Sequence, residues 1–183
     1  MKLAVFGKGH VGGGLADLWE KAGHQVTRLG RNGGDVSDAE VVLISVPGSA
    51  IADAIGKLKG VAGKIVIDAT NRFGTEPPGG FKSNAEFIKS KTSGPTAKAF
   101  NINFASLYGQ LGRTRAKASN LWCGDDGARE TVEKLSRDAG YDPVYAGPLN
   151  NAADQEHLIK IIFAINQGGL GPFLYRIAKP EQL

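Results

Sequence analysis

Apolar residues fall in two alternating rhythms along the chain. Runs dominated by Val, Ile, Leu and Ala occupy 2–6, 25–29, 40–46, 64–68, 96–100, 121–124 and 142–145, and each predicts a strand. The run over 40–46 is apolar almost throughout, as in a strand covered on both faces. Between the runs the spacing changes to three and four residues. Leu15, Leu18, Trp19 and Ala22 share one face of a helix predicted over 11–22, and Gly23 is a natural stop for it. Further helices are predicted over 50–58, after Pro47, and over 83–91, with Ser83 or Asn84 as cap. Another is predicted over 128–139, capped by Asp125 and Asp126, and a long last one over 151–166.

Strands alternating with helices predict an α/β fold with a doubly wound, mostly parallel sheet of the Rossmann type. Only the short stretch 32–39 joins the second strand to the third, too little for a helix and another strand. The sheet is therefore expected to be truncated after its second strand. The chain divides into a Rossmann domain over 1–150 and a C-terminal helical extension over 151–183, packed on that domain or at a dimer interface. On the last helix Leu158, Ile161, Ile162 and Ile165 form an apolar stripe that Ile159 and Phe163 widen. A helix apolar over so much of its circumference is generally buried, here against the core or a second copy in a homodimer. Glu156, His157 and Lys160 read as its solvated face, and the tail 168–173 is a candidate lid over the site.

The chemistry begins at Gly7-Lys8-Gly9-His10-Val11-Gly12, a G-x-G-x-x-G match with a strand directly before it and an amphipathic helix directly after. Gly7 permits the tight turn, Gly9 lets the backbone approach a pyrophosphate, and Gly12 lets the helix pack close to the sheet. Free N–H groups at the positive end of the helix dipole then face the phosphates. His10, beside that site, is a candidate cofactor contact. NAD-preferring folds usually end the second strand on an acid, which binds the ribose hydroxyls. Here the strand ends Leu29-Gly30-Arg31-Asn32; Arg31 suits a 2′-phosphate, and Gly30 leaves room for it. This chemistry favours NADP(H) over NAD, although the shortened loop could return Asp35 to the usual place of the acid. Ligands in such sheets bind at the carboxyl ends of strands, which brings Ser45, Val46 and Pro47 to the nicotinamide half and Ala69, Thr70 and Asn71 to the same crevice.

Composition and charge narrow the picture slightly. The 183 residues suit one domain with at most a small extension. A net charge of +4, with no dense basic block, argues against a nucleic-acid surface and suits a phosphate-bearing ligand. No stretch approaches the ~20 apolar residues of a membrane helix, and the opening run is too short for a signal-peptide core. The lone Cys123, in an apolar run, reads as a buried strand cysteine in a reducing compartment. The expectation is a cytoplasmic protein, with no metal cluster, catalytic triad or carboxylate pair evident.

The turn at 6–12 followed by Ala22-Gly23-His24 resembles the NADPH-dependent reductases of the deazaflavin coenzyme F420 and their wider family of small dinucleotide-binding oxidoreductases. Residues 64–71 are similar to that family's G-K-I-V-[IV]-D-x-T-N-P stretch, Lys98-Ala99-Phe100-Asn101 to its K-A-F-N motif, and Tyr141-Asp142-Pro143 with Ala146-Gly147-Pro148-Leu149 to its late strand and turn. Where the family has Pro after Thr-Asn, this chain has Arg72, then Phe73-Gly74. The resemblance implies hydride transfer between NADP(H) and a flavin-like or deazaflavin acceptor by positioning alone, with no catalytic side chain identified. Asn71, Asn101 and Pro148 are the acceptor-site candidates. Two alternatives stay open: reduction of a small molecule such as an imine, a quinone or a chelated metal, and a non-catalytic NADP-binding sensor. A β-hydroxyacid dehydrogenase ranks lower, because its downstream helical domain and catalytic-lysine context are missing.

Overall fold

The computed structural model describes residues 1–182. Seven strands form the main sheet: β1 (Lys2–Phe6), β2 (Gln25–Leu29), β3 (Val41–Ile44), β4 (Ile65–Asp68), β5 (Thr96–Ala99), β6 (Ser119–Gly124) and β7 (Asp142–Tyr145). They lie in the order β2-β1-β3-β4-β5-β6-β7, all parallel to their neighbours except the antiparallel pair β5–β6. This is the doubly wound α/β sheet expected of the pattern. Register aligns Phe6 with Leu29 and Ile44, and Ile44 with Asp68, so four strands end on one common edge.

The period of two along each strand feeds two cores. Leu3, Val5, Val41 and Leu43 face α1 (His10–Lys21), which buries Leu15, Ala16 and Trp19 there. Ala4, Phe6, Val42 and Ile44 face the other way, against Ile51, Ala54 and Ile55 of α2 (Ile51–Gly56) and Phe87 and Ile88 of α3 (Asn84–Thr92). Ser83 caps α3, its hydroxyl accepting from the Glu86 N–H at 3.1 Å. The cap expected of Asp125 and Asp126 on α4 (Arg129–Asp138) does not form. Asp125 instead accepts from the Thr96 N–H at 2.8 Å and pairs with Lys89 at 2.6 Å, because these partners tie two elements together.

The sheet is truncated after β2, which is its edge. The chain then makes a short strand, Gly34–Asp35, that pairs in parallel with Leu58–Lys59 just beyond α2. Gly33 permits this approach: its φ is +66°, and an added β-carbon would lie 2.3 Å from the Lys57 carbonyl oxygen.

The C-terminal extension requires two corrections. Along α5 (Ala152–Ile165) the buried row is Ala152, Gln155, Glu156, Ile159 and Ile162, so Glu156 is not on the solvated face. Ile161 and Ile165, expected in the buried stripe, are exposed. The helix is rotated because a buried lysine on β5 attracts Glu156 inward, as described below. The tail 168–173, the candidate lid, contributes no residue to the lining of the cleft at the carboxyl ends of the strands. Phe173 packs on Phe104 at 5.5 Å, the Tyr175 carbonyl accepts from the Ser119 N–H at 2.8 Å, and the Ile177 N–H donates to the Ser119 hydroxyl at 2.9 Å. Among the described residues, no helix is long and apolar enough to cross a membrane.

Candidate dinucleotide site

The common edge of β1 to β4 opens into a cleft of about 940 Å³. Of the residues singled out in the sequence, Gly7, Lys8, Gly9, His10, Val11, Gly30, Arg31, Ser45, Val46, Pro47, Ala69 and Asn71 line it. Three glycines shape its floor in different ways. Gly7 has φ +114°, and a β-carbon there would lie 2.6 Å from the Ser45 carbonyl oxygen. Gly12 is buried beneath the turn, where a β-carbon would come within 2.1 Å of the Gly7 carbonyl oxygen and of the Ser45 hydroxyl. That hydroxyl donates across the turn to Phe6 and Gly7 carbonyls at 3.2 and 3.1 Å, locking β1 to β3. A β-carbon on Gly9 would meet nothing within 4 Å, so the space above it is open to a ligand. Gly9 also precedes α1 without a side-chain cap, so the first N–H groups of the helix face the cleft unmasked.

At the β2 end, Arg31 is exposed at the cleft and Lys8 reaches toward Gly30: a β-carbon on Gly30 would be 3.9 Å from Lys8 Cε. Asn32 lies beyond Arg31, exposed and outside the lining. Asp35 does not take the place of the ribose-binding acid. Its carboxylate accepts from the Ser37 N–H at 2.8 Å, and hydrogen bonding from Ser37 holds it below the usual carboxylate range. One cation was missed in the sequence. Lys57, at the end of α2, lines the same cleft and pairs with Asp53 at 2.5 Å. The only hint was the Gly33-Gly34 pair, which lets the short loop lie against Lys57.

The other end of the cleft is lined by Val46, Pro47, Gly48, Ala69, Thr70, Asn71, Phe73 and Thr75. The acceptor-site candidates do not gather there. Asn71 donates to the Asn101 carbonyl at 2.6 Å and accepts from the Asn101 side chain at 3.0 Å. Asn101 is buried behind it, held in turn by Gln155 at 2.8 Å. Pro148 is exposed and outside the lining. The two asparagines thus brace the loop after β4, and only Asn71 reaches the cleft.

Beneath that loop lies a buried ionic cluster. Lys98, fully buried on β5, donates to Asp68 at 2.8 Å, to Glu156 at 2.8 Å and to the Thr70 carbonyl. Arg72, whose side chain is 9% exposed, pairs with the other oxygen of Glu156 and donates to the Lys82 carbonyl at 3.2 Å. Burial pushes the Asp68 carboxyl up, against the pull of Lys98. Two cations and two anions balance, which is the condition for burying charge. The K-A-F-N lysine is therefore the pivot that holds the loop and α5 together. Nearby, burial pushes the Cys123 thiol up to about 12, in keeping with a structural strand cysteine.

No protein-family model matches the chain. It is 32% identical over 123 residues to the metalloreductase STEAP3 of Rattus norvegicus, a match covering 66% of this chain and 25% of that protein. The chain thus spans about a quarter of the length of that relative. Among solved structures, it superimposes on a protein described as an F420-dependent NADP reductase from Arthrobacter sp. FB24 with a TM-score of 0.78 at 24% identity, over 98% of this chain and 100% of that one. A reductive aminase from Aspergillus terreus, solved with NADPH and ethyl levulinate, gives a TM-score of 0.67 at 17% identity, over 91% of this chain and 62% of that one. The chain thus shares the Rossmann-type α/β fold of these structures, with its mostly parallel sheet and the glycine-rich turn at 7–12 after the first strand.

Proposed function

We propose that the chain is an NADP(H)-dependent oxidoreductase that passes hydride between the nicotinamide and a flavin-like or deazaflavin acceptor. The observation that carries this reading is the uneven lining of the cleft. Lys8, Arg31 and Lys57, the last paired with Asp53, line the β2 end, where a 2′-phosphate belongs, while Val46, Pro47, Gly48, Ala69, Thr70, Asn71, Phe73 and Thr75 at the other end bring no carboxyl, imidazole or amine. NADPH, when bound, supplies the hydride from C4 of its nicotinamide. The open space over Gly9 and the unmasked N–H groups of α1 hold the pyrophosphate. Val46 and Pro47 form an apolar wall for the nicotinamide and exclude water from it. Asn71, with both its polar groups committed to Asn101, fixes the floor without offering a proton. A ring that takes hydride on a conjugated nitrogen or carbon needs little more than this positioning, whereas a carbonyl or imine needs a proton delivered to it. The tail docks away from the cleft, which supports an open, catalytic site over a sealed sensor.

The metalloreductase relative supports a second reading, reduction of a chelated metal, within the same oxidoreductase class. Titration with NADPH and NADH, followed by an acceptor screen at the reduced-nicotinamide absorbance, tests both. The expected outcome is tighter binding of NADPH and turnover with a flavin or deazaflavin. Turnover with chelated iron alone would transfer the assignment to the second reading, and binding without turnover on any acceptor would defeat the enzyme reading. Arg31→Ala should cost NADPH about tenfold in affinity and leave NADH unchanged, the usual loss for one charge-assisted contact. The chain is also read as a homodimer, because Ile161, Ile165 and Leu170 stand exposed at and beyond α5. Sedimentation of Ile165→Glu against wild type checks this: a dimer that dissociates only in the variant is the expected result.

A further inference from the structure

Phe73 is 66% exposed, lines the nicotinamide end of the cleft and belongs to none of the buried apolar clusters. A single exposed aromatic ring is ordinary on a protein surface; this one lines a ligand cleft, where its free face is available for stacking. Two contacts hold it. The residue before it, Arg72, is anchored to Glu156 of α5 in the buried ionic cluster. The Phe73 ring itself meets Phe163 edge to face, with centroids 5.7 Å apart and planes at 69°. Glu156 and Phe163 are seven residues apart on α5, two turns along one row of the helix, so a single rigid element grips the loop at both points. Phe163 is backed in turn by Phe104 at 6.2 Å, and Phe104 by Phe173 at 5.5 Å. Phe73 is thus the outer end of a supported aromatic row and lines the uncharged half of the cleft.

From this we infer that Phe73, buttressed by Phe163, is the stacking platform of the acceptor subsite, and that the subsite takes a planar, conjugated, weakly charged ring rather than a hydrated metal chelate. The inference rests on the oxidoreductase reading above. In the reaction, hydride carries two electrons and one hydrogen from the nicotinamide C4 to the ring; NADPH becomes NADP⁺, and solvent supplies any further proton that the reduced ring takes up. Phe73 contributes no proton and no charge. It holds the acceptor plane parallel to the nicotinamide and keeps water from the gap between them.

The test uses the 183-residue chain loaded with NADP⁺ and lumiflavin as the probe, read by quenching of flavin fluorescence. Wild type should bind lumiflavin, Phe73→Ala should weaken that binding about tenfold, the loss typical of one aromatic stack, and Phe73→Trp should restore it. NADPH affinity of Phe73→Ala should fall far less than its lumiflavin affinity, and its thermal melting should stay close to wild type, since the ring is largely exposed. In steady state with lumiflavin and NADPH, the variant should raise KM for lumiflavin more than it lowers kcat. Unchanged lumiflavin binding in Phe73→Ala overturns the subsite, as does absence of binding to loaded wild type. Dissociation of a dimer by Phe73→Ala with lumiflavin binding intact also overturns it and assigns the ring to an interface between copies. Failure of wild type to bind NADPH defeats the oxidoreductase reading itself and removes the subsite with it, a result distinct from any change confined to the variant.

Discussion

A β-carbon added at Gly12 would lie 2.1 Å from the Gly7 carbonyl oxygen, whereas one added at Gly9 would meet nothing within 4 Å. The same motif therefore contains one glycine required by the fold and one left free for a ligand, and substitution separates them. Gly12→Ala should destabilise the protein by about 1–3 kcal/mol or more, as overpacking against rigid backbone does, seen as a lowered midpoint in urea. Gly9→Ala should leave the midpoint unchanged and weaken NADPH binding in a fluorescence titration, because the methyl would intrude on the pyrophosphate. Both glycines were legible in the motif; the difference between them was not, since it depends on where β3 and the Ser45 hydroxyl lie. Cys123 gives a second test at this scale. With its thiol raised to about 12 by burial on β6, the native protein should react with a thiol reagent at mildly alkaline pH only as fast as it unfolds. Rapid labelling without denaturant would contradict the buried placement.

Elements matter where the short loop after β2 meets α2. Gly34–Asp35 and Leu58–Lys59 form a two-residue parallel ladder, and this draws Lys57 to the cleft beside Arg31. Lys57, just past the end of α2, thus brings a cation to the cleft alongside its partner Asp53. Lys57→Ala should weaken NADPH binding by up to about tenfold and NADH binding little, an order of magnitude for one charge-assisted contact. Equal losses for both cofactors would show that Lys57 does not meet the 2′-phosphate. The truncation was readable from chain length alone. Lys57 was not, because nothing in helical periodicity reports which residue a neighbouring loop will touch. The packing of α5 was misjudged for a related reason. Hydrophobic spacing gives two overlapping stripes on this helix, and a charge 58 residues away, Lys98, decides between them. Lys98→Met should cost about 3–5 kcal/mol by leaving Asp68 buried without a cation and Glu156 with Arg72 alone, measurable as a loss of unfolding free energy in urea.

On the scale of the whole molecule, the C-terminal extension completes the sheet's second half rather than covering the cofactor cleft. Ile159 and Ile162 of α5 close over Ile102 with Phe173 and Tyr175 of the tail beside them, and Arg176 pairs with Asp142 at 2.8 Å. Removing the tail from Gly171 onward would uncover this cluster. The shortened chain should melt earlier than the full one yet retain its NADPH affinity if the two regions are as separate as their contacts imply. Loss of cofactor binding in a truncated protein that remains folded would return the tail to the role of a lid.

The sequence by itself determined the order of strands and helices, the mostly parallel sense of the sheet, the glycine-rich turn between β1 and α1 and the loss of an edge element. These follow from local periodicity, from glycine at fixed spacing and from the number of residues available, and each is a property of a short stretch of chain. Only the tertiary structure decided that Glu156 is buried, that Asn71 and Asn101 satisfy one another, that Lys57 joins the cleft and that Phe73 stands at its mouth. Those outcomes depend on which distant groups can neutralise a charge or fill a hydrogen bond away from water. That choice is made between elements once they pack, and local spacing carries no record of it.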